Sequence, residues 1–136
     1  GRTPHANHRA STCAWCGSAA RPRECGANDA FVPAERADWL SRLKLQLGEA
    51  RPTRRCAGAE YPLLAGGALD LILYWRTLPW DHAAGTLLVT EAGGLVRQLD
   101  GSAYDPARSK PGLLCCATEE LMEAVLAFGS AAPGPV

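Results

Sequence analysis

The 136-residue sequence lacks a net charge, because its 14 Lys and Arg side chains are matched by 14 Asp and Glu. A chain without an overall basic field gives no indication of binding to nucleic acid or to an anionic membrane. It also lacks an apolar run of the roughly 18 residues that span a membrane, and no apolar segment follows the charges near its N-terminus. We therefore expect a cytoplasmic protein that has neither nucleic acid nor a membrane as its partner.

Aliphatic residues are nearly missing from the first 30 residues, which are rich in Arg, Pro, Ser, His and Cys. Such a composition cannot bury a core, so residues 1–30 are predicted to be poorly ordered. Nearly all Leu, Val and Ile side chains fall within residues 31–128, which we predict to be the packed domain. Residues 129–136 contain two prolines and are predicted to be a flexible tail.

The apolar pattern of the predicted domain alternates between helical and strand periods. Helices are predicted over residues 34–49, 59–65, 81–92 and 119–127, and Thr118 is the predicted cap of the last one. Strands are predicted over residues 53–57, 69–75, 95–99 and 112–117. Pro62 falls in the second helix, where proline is tolerated only in the first turn. This order predicts an α/β (α+β layered) fold, with helices packed on a mixed sheet.

The most informative segment runs from Trp80 to Gly85, directly after an apolar strand candidate. Asp81 is predicted to be the N-cap of the helix that begins there, where a carboxylate meets unpaired backbone N–H groups and the positive end of the helix dipole. The small residues that follow, Ala83 among them, allow a ligand to approach the backbone closely. Two interpretations stay open: a site for a cation and a phosphate, or a helix cap beside a core tryptophan.

From residue 56 to about residue 128 the sequence resembles the C-terminal part of the inositol monophosphatase family of magnesium-dependent phosphatases. The closing motif of that family, Trp-Asp-x-Ala-(Ala/Gly)-Gly, stands at residues 80–85. The expected neighbours flank it at residues 66–70 (Gly-Gly-Ala-Leu-Asp), 90–96 (Thr-Glu-Ala-Gly-Gly-Leu-Val) and 99–101 (Leu-Asp-Gly). The resemblance implies the C-terminal αβ half of the family's sugar phosphatase fold.

The resemblance also implies a phosphoric monoester hydrolase that uses Mg²⁺ to cleave inositol phosphate or another small sugar or nucleotide phosphate. Asp81 would then be a metal ligand, and His82 and Ala83 would contact the phosphate. Tyr74 stands where inositol-hydrolysing members place an acidic residue against the sugar ring, which favours a phosphate ester other than inositol phosphate. The alternative for His82 is an ordinary surface residue of the first helical turn.

Two metal-binding elements of the family are missing from this sequence, a glutamate pair on a helix and an Asp-Pro-Ile-Asp-Gly-Thr loop. Magnesium takes several oxygen ligands, so Asp81 alone cannot assemble a catalytic metal site. We therefore expect a half without its partner half, inactive by itself and prone to form homo-oligomers through an exposed apolar face. The alternative is a catalytically incomplete paralogue that acts as a dimerisation or scaffold module.

Three further polar residues have open roles. Asp70 ends a glycine-rich turn, and we interpret it as a turn residue rather than a ligand. Glu60 and Arg76 are candidates for the mouth of the substrate site.

The cysteines suggest either metal binding or ordinary packing. A zinc group could be formed near the N-terminus by Cys13, Cys16, Cys25, His5 and His8, although this spacing fits no common zinc-finger pattern. Cys56, Cys115 and Cys116 are predicted to be buried small hydrophobic residues, and a disulfide framework is not expected in a cytosolic chain.

Overall fold

A computed structural model shows the fold and describes residues 25–27, 31–47, 50–51, 53–108 and 110–130. The strands are β1 (Cys25–Ala27), β2 (Ala50–Arg51), β3 (Leu71–Tyr74), β4 (Leu95–Gln98) and β5 (Leu113–Cys116). They form a mixed sheet of five strands in the order β2-β1-β3-β5-β4. The helices are α1 (Ala34–Leu47), α2 (Ala57–Ala65), α3 (Pro79–Glu91) and α4 (Glu119–Ser130). The predicted α/β class with a mixed sheet is confirmed.

Strand β3 is the centre of the sheet and joins its parallel and antiparallel parts. It runs parallel to β1, which pairs in turn with β2, and antiparallel to β5, which pairs with β4. All four residues of β3 are buried, as expected for a strand with helices on both sides. Its apolar run in the sequence is therefore explained by two-sided burial.

Helices cover both faces of the sheet, because successive strand side chains point in opposite directions. Helices α1 and α4 pack on the face that carries Leu71 and Leu73. Helices α2 and α3 pack on the opposite face, which carries Ile72 and Tyr74. The described residues thus form three layers, and α2 and α3 together make one outer layer.

The predicted boundary between a loose segment and the domain at residue 30 is wrong. Strand β1 lies inside the sheet, and Cys25 and Ala27 are almost completely buried. Their small side chains gave no strand signal, yet both neighbouring strands are parallel to β1 and supply its hydrogen bonds. The other parts of the segment, residues 1–24 and 28–30, lie outside the described residues.

Several predicted elements near α2 are also corrected. The predicted strand over residues 53–57 is wrong, because residues 53–56 are irregular and Cys56 is the N-cap of α2. Cys56 is exposed rather than buried. Pro62 lies in the second turn of α2 and not in the first, so the nine-residue helix tolerates a missing amide hydrogen bond. At the other end of the chain α4 continues to Ser130, beyond the predicted start of the tail at residue 129, and residues 131–136 lie outside the described residues.

Strand β2 has no predicted counterpart, and the other elements match the prediction to within a few residues. Gly93 follows α3 with φ +88°, a conformation in which glycine is favoured at the end of a helix. Thr118 caps α4 by accepting a hydrogen bond from the Leu121 amide at 3.3 Å. Cys115 and Cys116 are buried free thiols, as predicted.

Candidate functional site

Helices α2 and α3 begin near each other, at the end of β3 where Tyr74 lies. The Tyr61 hydroxyl on α2 lies 2.8 Å from Nδ1 of His82 on α3. The Tyr74 hydroxyl donates a hydrogen bond to the carboxylate of Glu60 on α2. These contacts bring the ends of three elements together, with Tyr74, His82 and Glu60 of the predicted residues in one region.

Helix α3 begins two residues earlier than predicted, so Asp81 is not its N-cap. The N-cap is Leu78, whose side chain cannot accept a hydrogen bond, and Pro79 is the first helical residue. Proline at this position fixes a helical φ and keeps the preceding residue extended, which explains the early start. Asp81 is the third helical residue, with an exposed side chain in the first turn. It remains close to the positive end of the helix dipole.

His82 is buried, so its predicted alternative as a surface residue is wrong. Its ring lies 4.7 Å from the Tyr74 ring, centroid to centroid, and edge-on to the Tyr61 ring at 5.9 Å. Burial lowers the pKa of His82 below its usual value, although the charge of Asp81 and a hydrogen bond with the Arg76 backbone act in the opposite direction. A contact of His82 with phosphate stays a prediction.

Glu60 and Tyr74 form a second buried pair beside His82. Glu60 is 2% exposed and accepts the backbone N–H of Arg54 at 2.7 Å in addition to the Tyr74 hydroxyl. Burial, together with the hydrogen bond and the charge of Glu60, raises the pKa of the Tyr74 hydroxyl. The expectation that Glu60 lines an open substrate mouth is wrong for the chain as it stands, since its carboxylate is enclosed by its own partners.

The other predicted residues do not join this cluster, and Asp70 lies at the opposite end of β3 from Tyr74. Arg76 is exposed, with its guanidinium 3.9 Å from the centre of the Phe31 ring. Ala83 is half-buried in α3, and Asp70 precedes β3 with its carbonyl accepting the Ala117 amide. The sequence interpretation missed Tyr61, because an aromatic residue on a short helix gives no signal beyond core packing.

Asp81 fits magnesium as a single ligand. Its carboxylate is a hard oxygen donor, exposed to solvent, and Mg²⁺ prefers such donors. Among the described residues there is no group of three or more His, Cys, Asp or Glu side chains placed to hold a metal ion. The described part of the chain therefore contributes one ligand and not a full set. In the suggested zinc group, Cys25 is buried in β1 and the other four members lie outside the described residues.

Comparisons with known proteins show which family and fold this chain resembles. The model of the inositol monophosphatase family matches residues 23–129. A 3'(2'),5'-bisphosphate nucleotidase of Oryza sativa is 39% identical over 79 residues, which make up 54% of this chain and 22% of that protein. Inositol monophosphatase II of Staphylococcus aureus has the same fold, with a TM-score of 0.67 and 20% identity over 76% of this chain and 38% of that one. An inositol monophosphatase/NADP phosphatase solved with Mg²⁺ and phosphate superposes with a TM-score of 0.67 and 22% identity over 82% of this chain and 40% of that one.

The chain belongs to the inositol monophosphatase family, whose members are phosphatases and typically depend on magnesium. The chain spans about a fifth of the length of the rice relative and about two fifths of the solved structures. In the described part of the chain, no helix has both the length and the apolar character needed to cross a bilayer.

Proposed function

We propose that this chain supplies the C-terminal part of a magnesium-dependent phosphomonoesterase that acts on a small phosphate ester. The observation that carries the proposal is the exposed Asp81 carboxylate in the first turn of α3, within the motif that the chain shares with its family. The bisphosphate nucleotidase and inositol monophosphatase similarities support a substrate among inositol, sugar or nucleotide phosphates.

In this proposal Asp81 binds Mg²⁺ and the start of α3 orients the phosphate. Bound magnesium supplies an activated water and neutralises charge on the phosphoryl oxygens. In the first turn of α3, Pro79 has no N–H and the Asp81 amide bonds to the Leu78 carbonyl, so the Trp80 N–H is the first-turn donor available to an anion. The remaining ligands would come from a partner half that carries the glutamate pair and the Asp-Pro-Ile-Asp-Gly-Thr loop.

The Tyr74 side chain gives a reason to favour one class of phosphate ester as the substrate. Its hydroxyl is engaged by Glu60 and its side chain is 4% exposed, so it does not offer a free carboxylate-like acceptor to a sugar ring. This supports a small phosphate ester other than inositol phosphate.

The test compares Asp81→Asn with Glu91→Gln, which changes another exposed acid on the same helix. The chain alone should show no magnesium-dependent phosphatase activity above background, and adding the complementary half should restore turnover. In the restored complex Asp81→Asn should lower kcat by more than about 100-fold. Loss of a residue that only hydrogen-bonds to a metal ligand costs up to about 100-fold, and loss of the ligand itself should cost more. Glu91→Gln should leave kcat unchanged. Equal activity of the two variants would contradict the proposal.

A dimerisation module is the second candidate, favoured by one surface of α3. Trp80, Leu87 and Leu88 are 78%, 61% and 43% exposed, and their spacing puts them on one side of the helix. Sedimentation at micromolar concentration should then show a dimer that Leu87→Lys dissociates. Leu45→Lys, at a position on α1 that is 76% exposed, is the control and should leave the dimer intact. A monomeric wild-type chain would exclude this candidate.

A further inference from the structure

A line of buried polar groups crosses from the sheet to the start of α3, and the proposed chemistry does not use it. It begins at the Cys115 thiol on β5, which forms a hydrogen bond with the Tyr61 hydroxyl. Tyr61 contacts Nδ1 of His82 at 2.8 Å, and His82 forms a hydrogen bond with the backbone of Arg76 in the loop between β3 and α3. The three side chains are 0%, 1% and 4% exposed. We call this line the Cys115–Arg76 relay.

The direction of the hydrogen bond between His82 and Arg76 follows from the backbone acceptor. The Arg76 carbonyl can only accept. Nδ1 lies against the Tyr61 hydroxyl, so Nε2–H is the group that donates to Arg76. Burial raises the pKa of the Cys115 thiol to about 12, while its hydrogen bond with Tyr61 acts in the opposite direction.

The relay meets α3 at a helix start without a side-chain cap, directly after Thr77, which donates to the Lys110 carbonyl. The N-cap Leu78 offers no side-chain hydrogen bond, and the Asp81 amide is held by the Leu78 carbonyl at 3.0 Å. His82 is the next residue along the chain from Asp81, and its ring is fixed by α2 on one side and by the β3–α3 loop on the other.

We propose that His82 is a positioning residue: through Tyr61 and the Arg76 carbonyl it fixes the first turn of α3 and thereby the direction of the Asp81 carboxylate. The inference rests on the proposed role of Asp81 as a ligand, but the order of the turn is measurable without that role. Tyr61→Phe keeps the ring and removes the hydroxyl that contacts Nδ1 of His82. Tyr104→Phe is the matched control, because this buried hydroxyl has no hydrogen-bond partner among the described residues and its ring packs in the same core cluster.

Hydrogen exchange measured by NMR on the full chain tests the inference. The Asp81 amide reports on the first turn, and the Gly94 amide, bonded to the Val89 carbonyl at 2.9 Å, reports on the other end of α3. Tyr61→Phe should lower the protection of Asp81 relative to Gly94 by about 3- to 10-fold, the factor for one hydrogen bond. Tyr104→Phe should leave the ratio unchanged. Equal ratios in the two variants would overturn the inference, since a general loss of stability lowers both amides together.

Two spectroscopic measurements separate this inference from the proposed function. In the wild-type chain, ¹⁵N–¹H correlations should show a proton on Nε2 of His82, the nitrogen that donates to the Arg76 carbonyl, and an Nε2 without a proton would overturn the inference. Mn²⁺, used as a paramagnetic probe, should broaden the Asp81 amide, and Asp81→Asn should abolish the effect. If Asp81→Asn changes nothing, the ligand role fails and the exchange ratio still decides on the relay. A different result would contradict the positioning role alone. In that case Asp81→Asn abolishes the broadening, but Tyr61→Phe changes neither the Mn²⁺ concentration needed for broadening nor the ratio of Asp81 to Gly94 protection.

Discussion

Gly85 should be intolerant of even a methyl group, because α2 and α3 approach each other at this residue. A Cβ added to Gly85 would lie 2.0 Å from Cδ2 of Tyr61 and 2.4 Å from its Cγ. The Tyr61 ring cannot simply withdraw, because it is 1% exposed and its hydroxyl is bonded to His82. Gly85→Ala must therefore separate the helices or break that hydrogen bond.

The expected loss of stability is the difference between two effects. Overpacking of a buried contact costs about 1–3 kcal/mol, and a distance of 2.0 Å places this contact at the upper end. Replacing glycine by alanine within a helix returns up to about 1 kcal/mol. The free energy of unfolding should fall by about 2 kcal/mol, which lowers Tm by about 8 °C in a chain of this length.

Gly58→Ala is the matched control for this measurement. Gly58 also lies in a helix, but an added Cβ would meet nothing within 4 Å. Thermal and urea unfolding, followed by circular dichroism, should therefore show that Gly85→Ala lowers the free energy of unfolding. Gly58→Ala should leave it unchanged or raise it. Pairing Gly85→Ala with Tyr61→Leu should recover part of the loss. An equal rise in Tm for both glycine variants would refute the described packing of α2 on α3.

Three further predictions follow from the sheet and its loops. Deleting residues 1–30 should abolish cooperative unfolding, because it removes β1 from between two strands, and an unchanged Tm would contradict the topology. A thiol reagent should modify the exposed Cys56 quickly and the two buried cysteines of β5 only as the chain unfolds, as measured by peptide mass spectrometry. Hydrogen bonds from Ser102, and then Lys110, lower the pKa of Asp100 to about 2, so NMR should give a midpoint there that Ser102→Ala raises. Because this pKa is depressed in the folded chain, the small stabilisation from this exposed group is present above about pH 4 and is lost as the pH falls towards 2.

The elements that could be predicted are those in which the spacing of apolar residues within the segment itself indicates the buried side. Helix α1 carries Trp39, Leu40, Leu43 and Leu47 on one stripe, and all four are buried. Strands β3 and β5 are short apolar runs with both faces covered. In each case the periodicity of a single segment is sufficient to give both the element and its buried side.

The elements that could not be predicted depend on partners distant in sequence. Strand β1 has only small residues, and it is a strand because β2 and β3 supply its hydrogen bonds on either side. Cys56 lies at the start of α2 rather than within a strand, and the helix continues past Pro62 because its contacts with α3 hold it in place. Local propensity at these positions is outweighed by packing.

In the candidate site, the orientation of one residue could be predicted from its own segment, whereas the contacts of its neighbour could not. Successive residues on a helix point about 100° apart, so Asp81 faces solvent while His82 faces the interior. The proposed role of Asp81 can be inferred from the motif alone, because the exposure of a first-turn carboxylate does not depend on a partner from elsewhere in the chain. The role of His82 depends on Tyr61, which is 21 residues away in sequence, and on the space that Gly85 leaves for that ring. A motif of six residues therefore specifies the proposed ligand directly, whereas the residue that fixes its direction is recognised only once α2 and α3 are packed together.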